Sequence, residues 1–193
     1  MRIISGSAKG RRLALFKDSL IRPTSDRIRE AIFNILSNPG IVTSGAFPFS
    51  NVLDIFAGTG ALGIETLSRG ALKGVFIESN TEALKVLAKN IQICNFHDRA
   101  KIIPLETSKA LSLLKREKMR FGLVFVDPPY NCSMLAETLK GLYKNELLTY
   151  NSIVVAEHSI MEVPPDRLEG LNMEDRRKYG DTLVSFYIFN KKL

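Results

Sequence analysis

The stretch from Val52 to Gly63, Val-Leu-Asp-Ile-Phe-Ala-Gly-Thr-Gly-Ala-Leu-Gly, constrains the fold more than any other part of this chain. An apolar strand runs into a glycine turn and leaves it as a segment of helical composition. Gly58, Gly60 and Gly63 stand in the G-x-G-x-x-G spacing. That spacing gives a tight turn, lets a ligand approach the backbone, and lets the following helix pack closely. From Asn51 onward strands and helices alternate. Strands are expected at 51–56, 73–78, 100–105, 121–126 and 152–157, and helices near 60–69, 80–94, 108–118 and 133–143. Leu84, Leu87, Ala88 and Ile91 mark the expected buried stripe of the second of these helices. Such alternation predicts a parallel sheet covered by helices on both faces. The end departs from it. Met173–Tyr179 and Leu183–Phe189, parted by Gly180-Asp181-Thr182, predict a terminal hairpin and one antiparallel edge strand. The expectation is an α/β fold with a mostly parallel, seven-stranded sheet.

A glycine turn of this kind serves dinucleotides and S-adenosylmethionine (SAM) alike. In both, an acid at the end of the next strand, here Glu78, can accept bonds from ribose hydroxyls. Asp54 favours SAM: a carboxylate at the mouth of the strand repels a pyrophosphate but suits the cationic end of a methionine moiety. A second signal lies after the expected strand Phe121–Val126, which runs straight into Asp127-Pro128-Pro129-Tyr130. Two prolines donate no backbone hydrogen bond and hold the chain extended. Backbone carbonyls, one carboxylate and a ring then face one space. Those acceptors suit an exocyclic NH2, with the ring stacked on a base face. Many aminomethyltransferases acting on nucleobases carry this pattern. Ligands bind beyond the carboxyl ends of such strands, so both loops should open on the same rim.

At 193 residues, 45% hydrophobic and 24% charged, the chain has the size of one globular domain. No apolar run has the length needed to cross a bilayer. The N-terminus lacks the apolar core of a secretion signal, and Cys94 and Cys132 form no CxxC pair. A cytoplasmic setting is expected, without a disulfide framework or metal site. His97 and His158 lack metal-ligand spacing. Net charge is +7, unevenly spread. Arg2, Lys9, Arg11, Arg12, Lys17, Arg22, Arg27 and Arg29 face only Asp18, Asp26 and Glu30 within residues 1–30, and Arg176-Arg177-Lys178 form a second basic run. Clustered positive charge of this kind attracts phosphate backbones. Arg2–Gly6 and Gly10–Leu13 look like short strands about a glycine turn. Thr24 or Ser25 can cap a helix whose stripe is Ile28, Ile32, Ile35 and Leu36, stopped by Pro39-Gly40. Residues 37–50 then link a basic extension, 1–50, to a core, 51–193.

Four stretches together resemble the RsmD-like methyltransferases: Arg22-Pro-Thr-Ser-Asp-Arg-Ile-Arg-Glu30, Asp54 to Glu65, Leu67-Ser-Arg-Gly-Ala71, and Val126 to Tyr130. Those bacterial enzymes methylate the exocyclic N2 of a guanine in small-subunit ribosomal RNA. The resemblance spans nearly the whole chain. It implies a Rossmann-like class I SAM-dependent methyltransferase core behind a small N-terminal hairpin-and-helix extension. It implies that Gly58 and Gly60 let the backbone approach SAM, Glu78 holds the ribose, Asp54 orients the methionine end and Thr24 closes over it. Phe56 and Ser79 complete the expected cofactor contacts. Glu106 and Thr107 would meet the adenine, although relatives often carry Asp or Asn there. Asp127 and the Pro128 carbonyl would hold the guanine amine, with Pro129 shaping the turn and Tyr130 stacking on the base. Arg2, Lys9, Arg11, Arg12, Arg22, Arg176, Arg177 and Lys178 are the candidate RNA contacts. The implied partner is small-subunit ribosomal RNA or an assembling 30S particle, met by a monomer. Three alternatives stay open on the residues alone: a DNA adenine or cytosine amino-methyltransferase, a nicotinamide-dependent oxidoreductase, and a non-catalytic RNA-binding assembly factor.

Overall fold

The structure is a computed structural model, and it describes residues 1–15, 26–37, 50–129, 134–162 and 164–191. The elements run α1 (Asp26–Leu36), β1 (Asn51–Ile55), α2 (Ala61–Ser68), β2 (Lys73–Ile77), α3 (Thr81–Cys94), β3 (Ala100–Ile103), α4 (Thr107–Arg116), β4 (Phe121–Val126), α5 (Met134–Lys144), β5 (Leu148–Ser159), β6 (Arg167–Leu168), β7 (Leu171–Tyr179) and β8 (Thr182–Phe189). One sheet holds the strands in the order β3-β2-β1-β4-β5-β8-β7-β6. The first five in that order are parallel. The expected α/β class and terminal hairpin are present. Two details differ. The sheet has eight strands, because the two-residue β6 pairs along β7. The antiparallel strand of the hairpin, β8, lies inside the sheet between β5 and β7 rather than at its edge. Its buried residues explain this: all but Leu183 are buried, so β8 needs cover on both faces and both edges.

Side chains alternate between the sheet's two faces, as the two-residue repeat requires, apart from register shifts at Phe121/Leu123 and Met173/Asp175. Val52, Phe76, Leu123, Phe125, Ile153, Val155, Val184 and Phe186 belong to one core with α1, α2 and α3. Leu53, Ile55, Val75, Ile77, Val124, Val126, Val154, Ala156 and Tyr187 belong to the other with α4 and α5. Each such Val, Leu or Phe stabilises the fold by roughly 1.5–3 kcal/mol on burial.

Helix α3 starts where its cap dictates: the Asn80 side chain accepts from the Glu82 and Ala83 amides. Its buried face is not the expected stripe. Ala83, Leu87, Asn90, Ile91 and Cys94 are buried, Leu84 is half-buried, and Ala88 is exposed. The face is rotated toward Asn90, a polar residue that a hydrophobic count rejects. In α1, Ile28, Ile32 and Leu36 are buried as expected, joined by Phe33 and the charged Arg29, while Ile35 is half-buried. The expected cap at Thr24 or Ser25 and the stop at Pro39-Gly40 lie outside the described residues.

The N-terminal segment is a ladder with a single bridge, Arg2 to Arg12, rather than two full strands. Ile3 N–H bonds Arg11 C=O at 3.0 Å, and Gly10 N–H bonds Ile3 C=O at 2.9 Å. Ile3, Ala8 and Leu13 are buried in the same core as α1 and α2. Glu65 of α2, fully buried, accepts from the amides of Ile4 at 2.7 Å and Ser5 at 3.0 Å, and from Arg69 Nε at 2.8 Å. Ser68 Oγ accepts from the Ala8 amide and donates to Ser5 C=O. Arg29 donates to Arg2 C=O at 2.6 Å and to Asp26 Oδ1 at 3.0 Å, and burial lowers its pKa. Buried polar groups, not apolar contact alone, therefore fix this segment on α1 and α2. Among the described residues, no helix is long and apolar enough to cross a membrane.

Candidate cofactor and amine site

Ile103, Ile77, Ile55, Val126 and Ala156 form one continuous row across five parallel strands. After that row β1, β2, β3 and β4 leave the sheet on one rim, while β5 continues against β8 to Ser159. Cross-strand bonds stitch the exits together. Glu78 N–H reaches Ile103 C=O at 3.3 Å, Ala57 N–H reaches Ile77 C=O at 3.0 Å, and Asp127 N–H reaches Ile55 C=O at 3.4 Å. Glu78, the 56–60 turn and Asp127 thus share the rim where the strand order reverses, between β1 and β4. Open α/β sheets bind ligands at that switch point. The glycine turn and Asp127 therefore leave the sheet on the same rim.

The turn is built from left-handed backbone. Phe56, Gly58 and Gly60 have φ of 61°, 53° and 78°. Phe56 is not a glycine, and its conformation costs about 1–2 kcal/mol. At Gly60, a Cβ would also lie 2.4 Å from Leu87 Cδ1. Gly63 answers a different need, since a Cβ there would stand 2.4 Å from the Phe76 ring and 3.0 Å from Asp54 Oδ2.

Two carboxylates hold the turn from either side. Glu78 Oε2 accepts from Gly58 N–H at 2.8 Å, while its Oε1 accepts from Ser79 N–H at 2.9 Å and Asn80 N–H at 2.8 Å. The group is half-buried, so one edge remains open to a hydroxyl donor. Asp54 is 3% exposed, and its Oδ2 accepts from Gly63 N–H at 2.9 Å in the first turn of α2. Burial pushes its pKa from 3.8 up to about 7, with the Gly63 bond opposing and the negative charge of Glu78 adding to the rise.

That shift has a sign in stability. Between roughly pH 4 and pH 7 the unfolded chain loses this proton while the folded chain keeps it. Asp54 then favours the unfolded state progressively as pH rises, and the effect levels off above pH 7. Asp54→Asn, which keeps an oxygen acceptor for Gly63, should gain stability relative to the unmodified protein across that window. Denaturant melts at several pH values measure the difference. A difference that does not vary with pH removes Asp54 as the source.

The remaining expected residues divide clearly. Glu106 occupies the N-cap position of α4 on the same rim, exposed and making no side-chain cap bond, and Thr107 beside it is half-buried. Asp127 is half-buried, Pro128 buried and Pro129 exposed. Thr24, Arg22, Lys17, Tyr130 and Cys132 lie outside the described residues. Among the basic candidates, Arg2, Lys9, Arg12, Arg177 and Lys178 are exposed. Arg11 is half-buried and donates to Ile93 C=O. Arg176 donates to Ser185 Oγ at 3.1 Å and Asp166 at 3.3 Å, and Arg177 to Asp175 at 2.8 Å. Lys178 pairs across the sheet with Leu183, which pairs with His158 just beyond the Ala156 row. The basic hairpin end therefore stands on the same rim as Asp127. His158 itself is buried, bonded to Ser185 Oγ at 2.9 Å, and burial lowers its pKa. His97 is exposed beside Asp98.

Sequence reasoning missed Glu65, Asn90 and Arg29 as organising residues. A charged or amide side chain inside an otherwise apolar helical face was the available signal.

The whole of this arrangement has relatives. Residues 1–188 match the family model described as conserved hypothetical protein 95. The ribosomal RNA small subunit methyltransferase D of Escherichia coli (strain K12) is 36% identical over 160 residues, covering 83% of this chain and 75% of that protein. YlbH of Bacillus subtilis (strain 168), provisionally named an rRNA methyltransferase, is 32% identical over 187 residues, 97% of this chain and 98% of its own. The solved structure of the provisionally named methyltransferase yhhF from Escherichia coli superposes with a TM-score of 0.79 at 31% identity, covering 100% of this chain and 99% of that one. A glycine turn, the acid Glu78 and an Asp-Pro-Pro exit on one rim, together with relatives matched over most of the chain, place this protein in the conserved hypothetical protein 95 family, the RsmD-like methyltransferases, with S-adenosylmethionine as cofactor.

Proposed function

We propose that this protein transfers a methyl group from SAM to the exocyclic N2 amine of a guanine in small-subunit ribosomal RNA. The observation that carries the reading is the shared rim: Asp127 leaves β4 one residue past Val126, in register with the β1 exit into the glycine turn. The cofactor residues fit the group. Glu78, already fixed by the Gly58 amide, would turn its open edge to the ribose hydroxyls. Gly58 and Gly60 present backbone without side chains to the methionine portion, and Asp54 stands behind them for its ammonium. Phe56, in the same turn, and Ser79, beside Glu78 after β2, would complete the cofactor contacts, and Glu106 with Thr107 would meet the adenine from the β3 exit. Thr24 is proposed to close over the site.

When bound, the cofactor supplies an electrophilic methyl carbon. The chain's own residues then address the nucleophile, whose lone pair is delocalised into the purine ring. Asp127 and the Pro128 carbonyl would each accept one N–H of the amine, favouring a pyramidal nitrogen and stabilising the positive charge that develops on it. Pro129 would shape the turn and Tyr130 would stack on the base. Fixed placement supplies much of the remaining rate. The base must leave its stack to enter, which costs least in a loop.

Residues 1–50 are assigned to RNA and cofactor contact and 51–193 to the catalytic core, acting as a monomer in the cytoplasm on the RNA or on an assembling 30S particle. Arg2, Lys9, Arg12 and Lys178 are the better phosphate contacts, because Arg11, Arg176 and Arg177 already direct donors to protein partners. Arg22, outside the described residues, is proposed as a further RNA contact. Incubating the protein and tritiated SAM with small-subunit particles from a strain lacking its gene should label one guanine at N2. Label confined to DNA, or to an adenine, defeats this assignment.

A further inference from the structure

Asn90 is fully buried on the inner face of α3, beside Ala83, Leu87, Ile91 and Cys94, and its amide joins three separate segments. Its Oδ1 accepts from Ala14 N–H at 2.7 Å. Its Nδ2 donates to Ala14 C=O at 3.1 Å and to Thr59 C=O at 2.9 Å. Ala14 stands near the end of the described N-terminal segment, and Thr59 lies between Gly58 and Gly60 in the cofactor turn. The backbone of Ala14 fixes which end of the amide is which. A flipped amide would set NH2 against an N–H and oxygen against a carbonyl. The N–H aimed at Thr59 is therefore oriented by the docking of residue 14.

We infer that Asn90 is a positioning residue that couples docking of the N-terminal segment to the shape of the SAM turn. The turn holds three left-handed residues within positions 56–60, so its conformation depends on partners that fix it from outside. Glu78 holds Gly58 on one side. Asn90 holds Thr59 on the other, and does so only while Ala14 pins its amide. Coupling of this kind is reciprocal. Cofactor in the turn favours a docked segment, and a ligand that holds the segment favours cofactor. This deepens the proposed function, since that segment carries the exposed Arg2, Lys9 and Arg12; the coupling itself rests on the turn being the SAM site.

The test compares the unmodified protein with Asn90→Ala and Ala14→Pro. The second variant removes the Ala14 N–H at a half-exposed residue outside the sheet, so it leaves α3 intact even if Asn90→Ala folds poorly. SAM affinity is read by calorimetry, and exchange of the Ala14 amide by NMR with and without SAM. SAM should slow Ala14 exchange in the unmodified protein but not in Asn90→Ala. Each variant should bind SAM about tenfold more weakly, the loss expected when one buried hydrogen-bond partner is removed. Combining them should add less than about a further twofold, because both break one linkage. A folded Asn90→Ala that keeps full SAM affinity overturns the coupling, as does an Ala14→Pro that keeps it. So do losses that add in full. Absence of SAM binding to the unmodified protein is a separate result: it overturns the site assignment itself, and this coupling with it.

Discussion

Asp127→Ala is expected to lower kcat for RNA methylation by about 10²–10³-fold while SAM affinity stays within about twofold. Asp127 sits on the β4 side of the switch point, whereas Glu78 and the glycine turn sit on the β1 and β2 side. Removing the carboxylate deletes the acceptor proposed for the nucleophile and leaves Glu78 and Asp54 in place. Because the interaction strengthens as positive charge develops on nitrogen, the loss falls on kcat more than on KM. Asp127→Asn gives a sharper comparison. It keeps one oxygen but no charge, so its rate should lie between the two. Single-turnover kinetics with saturating SAM measures all three proteins. An Ala variant that turns over at the original rate would leave the amine-holding role without support.

Glu65→Ala is the change with the largest expected effect on folding. Glu65 is fully buried and answers three donors, the Ile4 and Ser5 amides and Arg69 Nε. Truncation strands all three and leaves a void between α2 and the N-terminal segment. Breaking a buried charged pair from one side costs about 3–5 kcal/mol, which for a chain of this size corresponds to a melting temperature roughly 10 °C lower. The damage should be spatially uneven. Amides of residues 3–13 should exchange faster well before those of β1 and β4, since the segment is held at this point and the sheet is not. Calorimetry and hydrogen exchange read the two effects. A variant that melts within about 1 °C of the unmodified protein, with its N-terminal amides still protected, shows that Glu65 does not hold the segment.

Much of the fold could be read directly from residue order. The burial of Leu53, Ile55, Val124 and Val126 on one face and Val52, Leu123 and Phe125 on the other follows from near-continuous apolar runs, broken in β1 by Asp54, which a strand covered on both sides satisfies. The helix that follows the glycine turn was expected at 60–69 and spans Ala61–Ser68. The α3 stripe was misjudged for a physical reason. Asn90 belongs on its buried face because backbone groups from two distant segments satisfy it, and periodicity carries no information about distant partners. The place of β8 was likewise hidden. A hairpin signal states that two strands pair, not which of them lies beside β5.

For the site, the residue types alone named the turn, the acid at Glu78 and the Asp-Pro-Pro exit, because each is a local demand of backbone geometry or hydrogen-bond chemistry. The sequence also set where charge gathers along the chain. Only the tertiary structure decided which of those charges already have protein partners: Arg11, Arg176 and Arg177 bond protein groups, while Arg2, Lys9, Arg12 and Lys178 face outward. It also decided that Asp54 is buried and bonded by the Gly63 amide, and that Glu65, Arg29 and Asn90 hold the N-terminal segment. Local chemistry is written in neighbouring residues, whereas burial, and the pairing that makes buried polar groups stable, depends on what folding brings from far along the chain.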